Sequence, residues 1–123
     1  MTVQVLIAED EPALAHELGF LMQSLGYDVI GLAETCSEAI ALCEKTRPQI
    51  ALIDVELKDG MAGLRLAGEL EGRWGTMVVL VAADAKRLQT AETAGRLVSP
   101  KPIDDVTLGA LMRKAQVLFE AAQ

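Results

Sequence analysis

At 123 residues the chain is sized for one compact domain, and its 51% hydrophobic content is enough to bury a core. Only 3% of its residues are aromatic, so Ala, Val, Ile, Leu and Met must build that core, as in a parallel sheet covered by helices on both faces. A net charge of −7, from 18 acidic and 11 basic residues, argues against a nucleic-acid surface and against anionic membranes, and no apolar run approaches the roughly 20 residues of a membrane span.

Short apolar runs alternate with longer amphipathic stretches. The first run, residues 3–8, has no basic segment ahead of it, so no signal peptide is expected and the location is read as cytoplasmic. It ends at Glu9-Asp10-Glu11. A helix is predicted over about 12–25, with Pro12 in its first turn and Gly26 as its stop. His16, the only histidine, reads as a surface or partly packed residue of that helix. The second strand covers 29–33.

The second helix covers about 37–46, before the Arg47-Pro48 break. Cys36 and Cys43 are read on this helix, ~10 Å apart at a rise of ~1.5 Å per residue. That is beyond the ~7 Å a disulfide tolerates, so both read as buried apolar residues. The third strand, 50–53, leads into Asp54, and a third helix is predicted over 63–72. Trp74 is placed in the following loop as a packing plug, and Met61 and Met77 as packing residues.

The fourth strand covers 77–82, a helix 86–94 follows with Gly95 as its stop, and the fifth strand covers 96–99. After Pro100-Lys101-Pro102 the last helix runs over 104–122, its start favoured by Asp104 and Asp105. Leu111, Met112, Ala115, Leu118 and Phe119 form its core stripe, and Arg113 and Lys114 its solvated face.

Five βα units in series imply an α/β fold with a doubly wound parallel sheet, helices on both faces by right-handed crossovers. No linker, repeat or low-complexity tract interrupts 1–123, so one domain is expected, with any output domain on another chain. Ligands of such sheets bind beyond the carboxyl ends of the strands. There the chain places Glu9, Asp10 and Glu11 after strand one, Asp54 and Glu56 after strand three, Ala82 and Ala83 after strand four, and Pro100, Lys101 and Pro102 after strand five. With strands one and three adjacent, the acids converge. Crowded carboxylates need a compensating cation, and Mg²⁺ takes oxygen ligands together with a phosphate. A lysine at the same edge supplies a point charge for a phosphoryl oxygen, and a carboxylate can itself serve as nucleophile. Singly, an Asp after a strand is more often a helix cap, and Lys-Pro a turn; the joint pattern points to phosphoryl transfer.

The segments Leu6-Ile7-Ala8-Glu9-Asp10-Glu11, Ile50-Ala51-Leu52-Ile53-Asp54-Val55, Asp59-Gly60 with Gly63, and Lys101-Pro102-Ile103 give the whole chain a resemblance to the receiver domains of bacterial response regulators. The resemblance implies a flavodoxin-like (βα)5 fold with strand order 2-1-3-4-5. It implies Asp54 as phosphoacceptor, and Mg²⁺ held by Asp10, Asp54, the backbone carbonyl of Glu56 and, through water, Glu9. It implies Lys101 against the phosphoryl group, its bond to Pro102 cis, and Ala83 and Pro102 in the phosphate loop. The implied partners are a histidine kinase or phosphotransfer protein and a separate output protein, with a weak homodimer allowed for and neither DNA nor membrane. The implied chemistry is acceptance of a phosphoryl group with at most self-catalysed transfer and autodephosphorylation, so no enzyme in the ordinary sense.

Two departures stand out. Family members usually carry Thr or Ser at the end of strand four and Tyr or Phe three residues before the lysine. Here those switch positions are Ala82 and Val98. Lys58 stands where Pro is frequent, in a stretch resembling a glycine-rich subgroup. Three other functions compete with this one. A pseudo-receiver, binding proteins without phosphorylation, is favoured by Ala82 and Val98 and opposed by Glu9, Asp10, Asp54 and Lys101. A phosphohydrolase would use Asp54 with Glu56 as general acid, but the nucleophile's strand is wrong and no substrate cap is present. A flavodoxin-like cofactor site would bring its phosphate against Glu9-Asp10-Glu11, which would repel it.

Overall fold

The computed structural model describes residues 2–58 and 63–123. Asp59, Gly60 and Met61, three residues singled out from the sequence, lie outside that set. Ten elements alternate: β1 (Gln4–Ala8), α1 (Pro12–Ser24), β2 (Asp28–Ala33), α2 (Cys36–Thr46), β3 (Ile50–Asp54), α3 (Gly63–Trp74), β4 (Met77–Ala82), α4 (Ala85–Thr93), β5 (Leu97–Pro100) and α5 (Asp105–Ala121). The strands form one parallel sheet in the order β2-β1-β3-β4-β5.

The apolar runs are continuous because both faces of the sheet are covered. Successive side chains of a strand alternate between faces. Val5, Ile7, Ile50, Leu52, Val79 and Val81 join Leu18 and Met22 of α1 and Leu108, Met112 and Ala115 of α5 in one buried cluster. Leu6, Ala8, Ala51, Ile53, Val78, Leu80 and Ala82 join residues of α2, α3 and α4 in the other. No charged residue interrupts β3 before its last position, Asp54.

Local chemistry sets the helix ends. Pro12 opens α1, where a missing amide costs nothing. Thr35, Asp84 and Asp104 cap α2, α4 and α5 by accepting amide hydrogen bonds through their side chains. Gly26 and Gly95 adopt φ of +92° and +79°, the left-handed conformation that lets the chain turn back into a strand.

Three details differ from the sequence reading. Trp74 is the last residue of α3, with the Arg73 guanidinium 4.3 Å from its ring centroid, rather than part of a loop. The cation–π contact and the packing of the ring against the core extend the helix past Gly72. β5 is shifted by one residue, because Pro100 still pairs with Ala82; an edge strand tolerates a proline. α2 begins at Cys36, one residue early, because Thr35 supplies the cap.

Cys36 and Cys43 are buried in the α2–α3 cluster and form no disulfide, in accord with their spacing. Burial pushes the Cys43 thiol up to about 11, against a small opposing effect of Arg73. Only the thiolate is nucleophilic. Native protein should therefore resist iodoacetamide at Cys43 at pH 8, whereas protein in urea should be labelled; mass spectrometry of both samples checks this.

Candidate functional site

The acidic tips meet because strand parity continues past the strand ends. Val5 and Ile7, Ile50 and Leu52, and Leu97 share the α1–α5 face, and Glu9, Asp54 and Lys101 follow two or four residues on. Backbone hydrogen bonds extend the ladders to these residues. Glu9 N donates to the Ala33 carbonyl at 2.9 Å, Val55 N to the Val81 carbonyl at 2.9 Å, and Lys101 N to the Ala82 carbonyl at 3.0 Å. The Lys101–Pro102 peptide bond is cis, as the resemblance implies.

Asp54 is buried. Its Oδ1 accepts the Glu56 amide at 3.0 Å, and its Oδ2 accepts Lys101 Nζ at 3.0 Å. Glu9 is only 1% exposed, deeper than a residue acting from a distance would need to be. Its Oε2 accepts the Glu11 amide at 3.1 Å. Its Oε1 is buried without a hydrogen-bond partner among the described residues; Lys101 Nζ stands 3.5 Å away, an ion-pair contact too long to satisfy it. Asp10 is half-buried, and carboxylate oxygens of Glu9, Asp10 and Asp54 lie within 4.8 Å of one another.

Burial raises the Glu9 carboxyl to about 7, and the neighbouring Asp54 carboxylate adds to this. The Glu11 amide and Lys101 act the other way and are outweighed. For Lys101, burial disfavours the ammonium, but the hydrogen bond and charge of Asp54, with help from Glu9, raise its pKa overall. The cluster therefore holds more negative than positive charge. An orphaned buried oxygen beside two further carboxylates suits a hard, oxygen-seeking divalent cation.

The other residues named from the sequence fall at the rim or elsewhere. Glu56 is exposed, and its amide points to Asp54. Ala83 and Pro102 are exposed. Ala82 is fully buried in the α2–α3–α4 cluster, with Val98 packed against that cluster, so neither brings a polar side-chain atom to the site. His16 is exposed on α1.

Two residues take their reason from the packing alone. Ser99 is fully buried and its hydroxyl donates only a long 3.4 Å bond to the Pro100 carbonyl. Gly63 is the other. Its amide donates to the Val55 carbonyl at 2.9 Å, bringing the start of α3 against the backbone of Asp54. A Cβ at Gly63 would collide with the Asp54 carbonyl and would lie 2.6 Å from the Val55 Cα. The motif marks this glycine, but only the packing gives its reason.

A family model described as the response regulator receiver domain matches residues 5–110, and the chain belongs to that family. It is 32% identical over its whole length to 47% of the phyllosphere-induced regulator PhyR of Methylorubrum extorquens. Among solved structures it superposes on the PhyR response regulator of Brucella abortus with a TM-score of 0.90 and 33% identity, covering all of this chain and 51% of that one. With the receiver domain of Erythrobacter litoralis PhyR the TM-score is 0.86 at 30% identity, covering 94% and 91% of the two chains. The chain spans about half the length of the curated relatives it matches. Among the described residues no helix is long and apolar enough to cross a membrane.

The two kinds of glycine in α3 separate cleanly. Gly63→Ala should lower stability by roughly 1–3 kcal/mol or more, because backbone has no room to yield. Exposed Gly68, with nothing within 4 Å of an added Cβ, should gain roughly 0.5–1 kcal/mol as Ala. Urea unfolding followed by circular dichroism measures both.

Proposed function

We propose that the chain is a phosphorylatable receiver that takes a phosphoryl group from a histidine kinase or phosphotransfer protein onto Asp54. The observation that carries this reading is the buried Asp54 carboxylate. It is held by the Glu56 amide and by Lys101 at 3.0 Å, with two further carboxylates beside it. The Asp54 oxygen attacks phosphorus, a P–O bond forms, the P–N bond to the donor histidine breaks, and the electron pair leaves with the imidazole nitrogen.

Asp10, Asp54, the Glu56 carbonyl and, through water, Glu9 would hold Mg²⁺. When bound, the ion supplies charge neutralisation for the phosphoryl oxygens. Lys101, tethered by its own backbone bond to Ala82, keeps its ammonium where those oxygens would arrive. The chain acts in signalling and not as an enzyme with an outside substrate. In the PhyR relatives the matched segment is about half of the protein, which supports an output carried by another domain or protein.

A second reading, a receiver fold signalling without phosphorylation, is favoured by one observation. Ala82 and Val98 leave the usual hydroxyl–aromatic relay without either of its parts. Intact mass after incubation with acetyl phosphate and Mg²⁺ separates the two readings. Wild-type protein should gain one phosphoryl group and Asp54→Asn none. An unmodified wild type would favour the second reading, and undiminished labelling of Asp54→Asn would remove Asp54 as the acceptor.

The relay positions lead to a further expectation. A ligand shifts a conformational equilibrium only by its differential interaction with the two states. Without a hydroxyl at Ala82, one charge-assisted hydrogen bond is missing, roughly 1.5–3 kcal/mol of such difference. Phosphorylation should therefore move β4 and β5 little, and Ala82→Thr should enlarge the phosphorylation-dependent amide shifts around Val98. Large shifts through both strands in the wild type, unchanged by Ala82→Thr, would contradict a muted switch.

A further inference from the structure

The charge of the chain is concentrated on one flank. No Lys or Arg occurs before Lys45, so the first 44 residues hold eight of the eighteen acids and none of the eleven basic residues. The other ten acids and eleven bases nearly cancel. These 44 residues form β1, α1, β2 and most of α2, the side of the sheet that ends at the β2 edge. Glu9 and Asp10 belong to the site already described. Glu11, Glu17, Asp28 and Glu34, on or beside α1 and β2, are exposed, as are Glu38 and Glu44 of α2 on the opposite face of the sheet.

The same flank carries an apolar groove of about 300 Å³ between α1 and β2. Phe20, 72% exposed, and Leu32, 38% exposed, line it, with His16, Gly19 and Gln23 beside them. A Cβ at Gly19 would come within 3.9 Å of Leu32 Cδ2, so a larger side chain there would begin to cover that leucine. An aromatic residue this exposed inside a groove is a ready anchor for a partner's side chain.

The rest of the surface also narrows the occupant. α5 exposes Val106 and Val117 as well, but that helix carries both signs, Asp105 and Glu120 with Arg113 and Lys114, and selects no partner by charge. Addition of a strand to β2 is disfavoured by the register irregularity between its pairings with Val5 and Leu6, because a bulged edge pairs poorly. A second copy meeting this flank in a twofold contact would set acid against acid. An anionic lipid surface would be repelled in the same way.

We propose that the α1–β2 groove docks a basic amphipathic helix of a partner protein. An apolar side chain of that helix sits against Phe20 and Leu32, and its Lys and Arg residues face Glu17 of α1 and Asp28 of β2, with Glu11 and Glu34 at the ends of those elements. The proposal does not depend on phosphorylation of Asp54, so the acetyl phosphate experiment can fail while this one succeeds.

The test uses the whole chain, ¹⁵N-labelled, and two fluorescent peptides of Leu and Lys with the same composition. One places its leucines on a single helical face and the other is scrambled. The amphipathic peptide should bind more tightly, by about tenfold, and shift the amides of Gly19, Phe20 and Gly31. Raising salt from roughly 50 to 300 mM should weaken it, since exposed charges are screened. The double variant Phe20→Ala with Leu32→Ala should bind about tenfold more weakly, and Val106→Ala with Val117→Ala should bind as wild type. Equal binding of the two peptides, shifts centred on α5, or an unaffected Phe20/Leu32 double variant would each overturn the proposal. So would dimerisation of the free protein, or binding to phosphatidylcholine vesicles, that is lost in Phe20→Ala, since either result identifies a different occupant.

Discussion

One ammonium among buried carboxylates is the constraint on which the site depends. Lys101 Nζ lies 3.0 Å from Asp54 and 3.5 Å from Glu9, and Asp10 stands at the same strand ends. Removing carboxylates from water is costly, and one lysine cannot offset several of them. The excess appears in Glu9, whose carboxyl is pushed up to about 7 by burial and by its neighbour Asp54. A fold that keeps such an arrangement has stored an attraction for positive charge at a fixed position. The stored attraction is what suits the site to a divalent cation and to the phosphoryl group that would arrive with it.

The rest of the molecule holds that arrangement still. Asp54 ends a strand buried on both faces, and Glu9 and Lys101 each carry a backbone bond to a neighbouring strand. The start of α3 is drawn against the Asp54 backbone, which only a glycine at position 63 permits. Asp54 is thereby set on rigid elements, while Glu11, Glu56 and Pro102 at the rim stay exposed.

At the far ends of β4 and β5 the chain departs from its family. Ala82 and Val98 are aliphatic, and both serve the α2–α3–α4 cluster and not the site. The strand-end polar site and the two aliphatic switch positions are therefore separable in this chain. The first is held by polar contacts, and the second has been given over to packing.

Much was legible in the sequence. Continuous apolar runs, Pro12 opening α1 and Gly26 and Gly95 closing α1 and α4 are local properties of the chain, and they located all ten elements to within a residue or two. The same holds for the identity of Glu9, Asp10, Asp54 and Lys101 as strand-end residues. Trp74 was misplaced because the cation–π contact that lengthens α3 does not show in a helical period. What only the tertiary structure decided concerns distance and burial. Residues 9, 54 and 101 are far apart in the chain, and their separations in space follow from strand order and from the face each side chain takes. The same is true of the orphaned Glu9 oxygen, of the backbone that leaves Gly63 no room for a Cβ, and of the groove that gathers Phe20 and Leu32 on an all-acidic flank. A sequence records which groups are present, and packing between remote segments sets which of them meet and how much water is left between them.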